Sequence, residues 1–193
     1  MAQPPNPIEL YEASVQQMLP IVAGVKTDQL SSSTPCSEWN VQALINHNLR
    51  VQALVNTVLI GAPGDISQIF NVVNEPIPTE GAEAVYTANT DAVLATIKSM
   101  SMETVLETAF GPMPAGNYLM IPFVDLVVHK WDLAKATNQS TDIDSGLAED
   151  CLNYLKGLFQ GGRLGPEFFA DEVNIPSAAS VQDQLLGIAG RQP

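Results

Sequence analysis

The sequence predicts an all-α protein, an antiparallel bundle of helices. Three observations carry this prediction. Apolar residues recur at spacings of three and four over long stretches, the connections between those stretches are short, and alternation with a period of two is almost absent. About half of the 13 glycines and 14 prolines cluster at 61–64, 76–81, 111–116 and 161–166, and these clusters punctuate the chain between helical stretches. There is no internal repeat and no low-complexity tract.

The first helix is expected over roughly 7–25, with Ile8, Tyr11, Val15, Met18, Leu19, Val22 and Val25 on one face. Pro20 should kink it or end it early. A serine-rich loop, Ser31 to Ser33, runs into Thr34-Pro35-Cys36-Ser37-Glu38-Trp39. The second helix starts at an Asn40 cap and runs to about Ile60, where Gly61 ends it. Its inward stripe reads Leu44, His47, Val51, Leu54 or Val55, and Val58. A third helix over about 80–100 carries Ala82, Val85, Tyr86, Val93 and Ile97. Within 103–116, Val105 to Phe110 reads as a short extended piece ending at Gly111-Pro112.

The fourth helix, about 117–137, is unusual. The eleven residues from Tyr118 to Val128 contain one charge, Asp125. A helix that is apolar all round belongs in a core. An ionised carboxylate there is costly unless it is paired or bound to a cation. Pro122 either begins this helix or kinks it. A fifth helix follows from an Asp144 cap to Phe159, with Leu147, Cys151, Leu155 and Leu158 on one face. After a glycine-rich loop and an irregular segment, a short last helix is expected over about 178–188, ending at Gly190.

The length of 193 residues suits a single domain spanning 1–193, with enough chain to bury a core without staples. Charged residues make up 15%, against an average of about 25%. The balance is 21 acidic to 8 basic, a net charge of −13. That argues against a nucleic-acid surface and against an anionic membrane face, since both call for Lys and Arg. Two cysteines do not make a secreted disulfide framework. The opening Met-Ala-Gln-Pro-Pro-Asn-Pro has neither a basic nor an apolar leader region, and no apolar run reaches about 18 residues. The expectation is a soluble cytoplasmic protein.

The chain has two histidines, His47 and His129, and both fall on inward stripes. Asp125 and His129 are four residues apart, so they project from one helix face, one turn apart. If the second and fourth helices are neighbours, two imidazoles and one carboxylate converge. Two nitrogens and one oxygen suit a divalent metal ion, with at least one position left open for water or substrate. Zinc is the first choice; nickel or iron(II) also fits the donor set. The competing reading is structural: a histidine on an apolar face is commonly a hydrogen-bonded core residue, and an Asp–His pair on a helix is commonly just that.

The residues also carry a resemblance. Thr34-Pro35-Cys36-Ser37-Glu38-Trp39-Asn40-Val41, followed by Leu44 and His47, resembles the opening signature of DinB-like proteins related to mycothiol-dependent maleylpyruvate isomerase. Asp125 to Ala134, ending His129-Lys130-Trp131-Asp132-Leu133-Ala134, resembles the second signature of that family. The tail, Gln184-Leu185-Leu186 and then Gly190-Arg191-Gln192-Pro193, is similar to an actinobacterial-type branch known only as metal-binding. The resemblance implies a DinB-like four-helix bundle, in up-down-down-up order, with additional short C-terminal helices. It implies a metal held by His47, Asp125 and His129. In the isomerase the carboxylate ligand is Glu; the shorter Asp125 would draw the metal toward the fourth helix. The isomerase also carries a further C-terminal α/β domain that this chain is too short to match.

Five other positions bear on such a site. Arg50, one turn after His47, either clamps a substrate carboxylate or pairs with a protein carboxylate. Cys36, before a helix N-terminus, is either an activated thiol or a small buried hydrophobe. Asp132 is either a support for a ligand histidine or a cap or surface charge. Trp39 and Trp131 read as packing, Trp39 pinning the entry loop and Trp131 covering the far side of the site. The function expected is that of a metal-dependent enzyme of thiol-dependent transfer or isomerisation. Its partners would be a low-molecular-weight thiol, such as mycothiol or bacillithiol, and a small organic acid or electrophile. A non-enzymatic helical bundle that binds a small ligand or a partner is the alternative, and a coordination sphere closed by Cys36 would favour it. A homodimer through one bundle face accompanies either reading.

Overall fold

The computed structural model describes residues 5–162, 165 and 168–193. The first residues of the opening segment, and Arg163 in the 161–166 cluster, lie outside the described residues. The chain divides into two compact units, Met1–Ser140 and Thr141–Pro193. The first contains four long helices, the DinB-like bundle that the signatures imply.

Helix α1 spans Pro7–Ala23. The Asn6 side chain accepts the Ile8 amide, and Pro7 occupies the first turn, where its missing N–H costs nothing. Pro20 does not stop the helix, which continues three residues further to Ala23. Helix α2 spans Val41–Leu59, capped by the Asn40 side chain on the Ala43 amide. Gly61, at φ 78°, takes the left-handed position after its end, a conformation that costs a side chain-bearing residue more. A segment with a 3-10 turn at Ile66–Ile69 then crosses to α3, Ala82–Ser99. Tyr86, Val93 and Ile97 of the expected stripe are buried, while Ala82 and Val85 are only part-buried.

Residues 103–116 form a small hairpin. Strand β1, Val105–Leu106, pairs antiparallel with β2, Met113–Pro114. The extended piece expected from Val105 to Phe110 is therefore two residues long, and its pairing strand lies beyond Gly111-Pro112. Helix α4 spans Ala115–Ala136. It starts ahead of the expected 117, so Pro122 sits inside it and not in its first turn. Leu119, Phe123, Leu126, Leu133 and Ala134 are fully buried. Each Leu or Phe so placed contributes about 1.5–3 kcal/mol of transfer free energy, which explains why this helix carries so few charges.

Within the bundle, α1 packs on α4 and α3, while α2 packs on α3 and α4. The neighbours α2 and α4 are the two helices that carry the histidines. In the second unit, α5 spans Ser145–Leu158 and α6 spans Val181–Ile188, and the two pack together. The Asp144 side chain caps α5 on the Gly146 and Leu147 amides. Leu147, Cys151 and Leu155 are buried, but Leu158 is exposed. Helix α6 begins later than the expected 178, at a Ser180 cap. Among the described residues, no helix is long and apolar enough to cross a membrane.

Candidate metal centre

The bundle brings His47, Asp125 and His129 together. Asp125 Oδ1 lies 3.3 Å from His47 Nε2 and 3.4 Å from His129 Nε2. The two imidazoles stand nearly perpendicular, at 76°, with ring centroids 4.9 Å apart. One donor atom from each residue lies within 4.8 Å of the other two. A four-coordinate zinc with bonds of about 2.0–2.1 Å needs donors roughly 3.3–3.4 Å apart. The two Asp125–His distances therefore already match the edge of such a coordination tetrahedron.

The nitrogen of each imidazole that faces away is anchored. His47 Nδ1 is 2.8 Å from the Ile69 carbonyl, so it carries the hydrogen and donates. His129 Nδ1 is 2.9 Å from Asp132 Oδ2 and donates to it. Both Nε2 atoms then face Asp125. They donate to it when protonated and present their lone pairs when a metal displaces those protons, the arrangement by which outer groups fix the tautomer of metal-binding histidines. Asp132 is fully buried. Of its two expected roles, the structure gives it the supporting one.

Asp125 sits between these rings in tension. Burial raises the pKa of its carboxyl, but the charges of His129 and then His47 outweigh that and hold it well below the usual carboxylate range. Burial lowers that of His129, and Asp125 reverses the effect, so the imidazole is held well above its ordinary value. The Asp125 side chain is a quarter exposed overall. Yet its Oδ2 is buried and has no hydrogen-bond partner among the described residues. A buried charged oxygen without a partner is expensive. Two anchored imidazoles, one carboxylate and one unsatisfied oxygen form a donor set that fits a divalent cation.

The walls come from two loops. Thr34 Oγ1 accepts the Cys36 amide and donates to the Trp39 carbonyl, at 3.1 and 2.8 Å, which folds the Thr34–Trp39 turn onto the end of α2. This sets the Trp39 ring 4.4 Å from His47 and 5.9 Å from His129, centroid to centroid. Trp39 is thus a wall of the centre, a role beyond the loop pin expected of it. Trp131 is buried, with Lys135 Nζ 4.3 Å from its ring centre. The second loop, between α2 and α3, is tied down by Gln42 and Asn46, whose side chains donate to the Glu75 carbonyl. It delivers the Ile69 carbonyl and the Phe70 ring, 6.4 Å from His47. Sequence reasoning missed both. Phe70 carries no motif, and a backbone carbonyl can come from any residue type.

Arg50 meets a protein carboxylate. Its Nε and Nη2 fork onto Glu75 at 3.1 and 2.6 Å. Cys36 approaches His129 from the other edge of the ring, with Sγ 3.7 Å from Nδ1 and 3.2 Å from Asp132 Oδ2. Neither Cys36 nor Cys151 is in a disulfide.

Residues 11–134 match the family described as the mycothiol maleylpyruvate isomerase N-terminal domain, and this span includes every residue of the centre. Two uncharacterized proteins of Mycobacterium tuberculosis, from strains CDC 1551 and H37Rv, are each 29% identical over 195 residues, covering 96% of this chain and 98% of theirs. A crystal structure of a histidine-to-alanine mutant of mycothiol-dependent maleylpyruvate isomerase has the same fold, with a TM-score of 0.64 at 14% identity, over 82% of this chain and 72% of that one. The chain belongs to the mycothiol maleylpyruvate isomerase N-terminal domain family.

Proposed function

We propose that this protein is a metal-dependent enzyme of the thiol-dependent transferase or isomerase type, working in the cytoplasm. It holds a divalent ion, zinc before nickel or iron(II), through His47, Asp125 and His129. The observation that carries the reading is the Asp125 carboxylate, which faces two imidazole Nε2 atoms at 3.3 and 3.4 Å and whose other oxygen is buried without a partner among the described residues. When bound, the ion supplies Lewis acidity and lowers the pKa of a thiol or water at its open position. The remaining work falls to the chain. Ile69 and Asp132 keep the imidazoles in the ligating tautomer, and Trp39 and Phe70 keep bulk water from the ring faces.

The reactants are a low-molecular-weight thiol of the mycothiol kind and a small organic acid or electrophile. Both come from the family and from the isomerase that shares the fold. The alternative, a closed binding module, needs a fourth protein donor on the Nε2 side. Cys36, the residue expected to provide it, approaches the Nδ1 edge instead. This leaves the open site as the better reading. The test is metal content together with thermal shift on adding mycothiol or bacillithiol. Stoichiometric metal that vanishes in His129→Ala, with a thiol-dependent shift in the loaded protein, supports the reading. Full metal retention in that folded variant overturns it.

A further inference from the structure

On the far edge of His129, the function proposed above uses Asp132 only as an anchor and does not use Cys36 at all. Cys36 Sγ, His129 Nδ1 and Asp132 Oδ2 all lie within 4.8 Å of one another. From these we propose a second cation site, for a thiophilic divalent ion such as zinc or cadmium, on the opposite edge of the same imidazole. The site uses a different nitrogen of His129 and takes neither His47 nor Asp125 as a ligand. Because a neutral imidazole offers one lone pair, His129 serves one edge at a time, and variants of His47 and Cys36 tell the two sites apart.

The geometry is close to what such an ion requires. Zinc bonds of about 2.3 Å to sulfur and about 2.0–2.2 Å to nitrogen and oxygen put the donors roughly 3.4–3.6 Å apart. The distances here are 3.7 Å from sulfur to nitrogen, 3.2 Å from sulfur to oxygen and 2.9 Å from nitrogen to oxygen. The two shorter ones are the lengths of hydrogen bonds, in which a proton stands where the cation would. Replacing those protons requires the three groups to separate by a few tenths of an ångström.

The exchange balances. A divalent ion enters and two protons pass to solvent. One comes from the Cys36 thiol and one from Nδ1 of the His129 imidazolium, whose other proton stays on Nε2 and donates to Asp125. Two positive charges replace two, so the buried Asp132 sees the same net charge before and after. Cys36 is only half-buried, while Asp132 is fully buried and held in place by its hydrogen bond to His129. A thiolate makes this donor set softer than the imidazole–carboxylate set on the other edge, so the two sites differ in which ion they prefer.

The test is a cobalt(II) titration of the full, metal-free chain, without oxygen and with a phosphine reductant. The expected result is a sulfur-to-cobalt charge-transfer band in the near ultraviolet. The band should be absent in Cys36→Ser, which keeps its ion on the Nε2 side, and stronger than wild type in His47→Ala, where that competing site is gone. A wild-type protein that binds cobalt with no sulfur band, giving the same spectrum as Cys36→Ser, overturns the site. Cys36 and Asp132 then serve His129 through hydrogen bonds alone. A sulfur band of unchanged strength in His47→Ala overturns the first centre and leaves this one standing. If Cys36→Ser does not fold, the cadmium NMR resonance of the loaded wild-type protein decides: a downfield, sulfur-ligated shift supports the site, and a shift typical of nitrogen and oxygen donors sinks it.

Discussion

Helix α2 contributes to two buried polar clusters, and they are built on opposite plans. Toward α1 and α3 it presents Gln52, which accepts the Tyr11 hydroxyl and donates to the Tyr86 hydroxyl at 3.3 Å. Burial pushes both phenols up, so this cluster stays neutral. Toward α4 the same helix presents His47, in a cluster that holds a charged carboxylate with one oxygen unsatisfied. The first cluster joins helices, because its hydrogen bonds close on one another. The second leaves coordination capacity unused. Burial alone therefore does not separate architecture from chemistry in this bundle; charge does. Asn48 Oδ1 and Thr90 Oγ1 are also buried without partners among the described residues, but of the three unsatisfied atoms the carboxylate oxygen of Asp125 is the charged one.

The contrast breaks most visibly at His129. We expect His129→Ala to lower bound metal from about one ion per chain to background while the helical signal is retained, read by elemental analysis and circular dichroism. Metal content in Tyr86→Phe should stay at the wild-type level. A loss of metal in both variants would erase the distinction.

Removing the metal should expose the charges of the second cluster to pH. The lowered pKa of Asp125 stabilises the fold above the unfolded value of about 3.9, and that contribution is lost as pH falls through the folded value. The raised pKa of His129 stabilises fully below the unfolded value of about 6.5 and is lost as pH rises toward its folded value. The metal-free protein should therefore have its highest Tm between roughly pH 4 and 6.5, measured by thermal scans. Metal requires unprotonated imidazoles, so the Tm gained on loading should grow as pH rises above that window.

Smaller effects sharpen the comparison. Asp132→Asn keeps the shape but weakens the anchor on His129 Nδ1, and should reduce metal affinity by about 10–100-fold in a chelator competition. Tyr86→Phe removes the hydroxyl that accepts from Gln52 Nε2. A buried donor left without its acceptor costs about 1–3 kcal/mol, which should appear as a lower Tm with unchanged metal affinity.

Much of this was legible in the chain. Asn40 and Asp144 announced two helix starts because a capping side chain acts within three residues of itself. The single charge in an apolar stretch marked Asp125, and the four-residue step to His129 put both on one face. What stayed hidden depends on long-range pairing. Nothing local shows that Ile69 lends a carbonyl to His47, since every residue has one. Pro20, expected to kink or end its helix, and Pro122, expected to begin or kink its own, both lie inside helices. Each lacks only one donor, and helices packed on two neighbours continue through it. Within 103–116 the extended piece at Val105 is legible, but its length and its partner Met113–Pro114 are not, because a two-residue strand has no period to read.

The smallest effect concerns the loop that carries Ile69. Arg50 and Glu75 form a bidentate pair, but their side chains are 38% and 31% exposed, so water screens them. Such a pair is worth about 0–1 kcal/mol. We expect Arg50→Ala to change Tm by no more than about two degrees and metal content not at all, because Gln42 and Asn46 still hold the Glu75 carbonyl. Its sharper use is with substrate. If Arg50 leaves Glu75 to clamp an incoming carboxylate, the variant should raise KM for an acidic substrate and leave kcat unchanged, the mark of lost binding common to ground and transition states. An unchanged KM would confine Arg50 to the loop. The pair would then belong with Gln52 and the tyrosines, among the contacts that close on themselves.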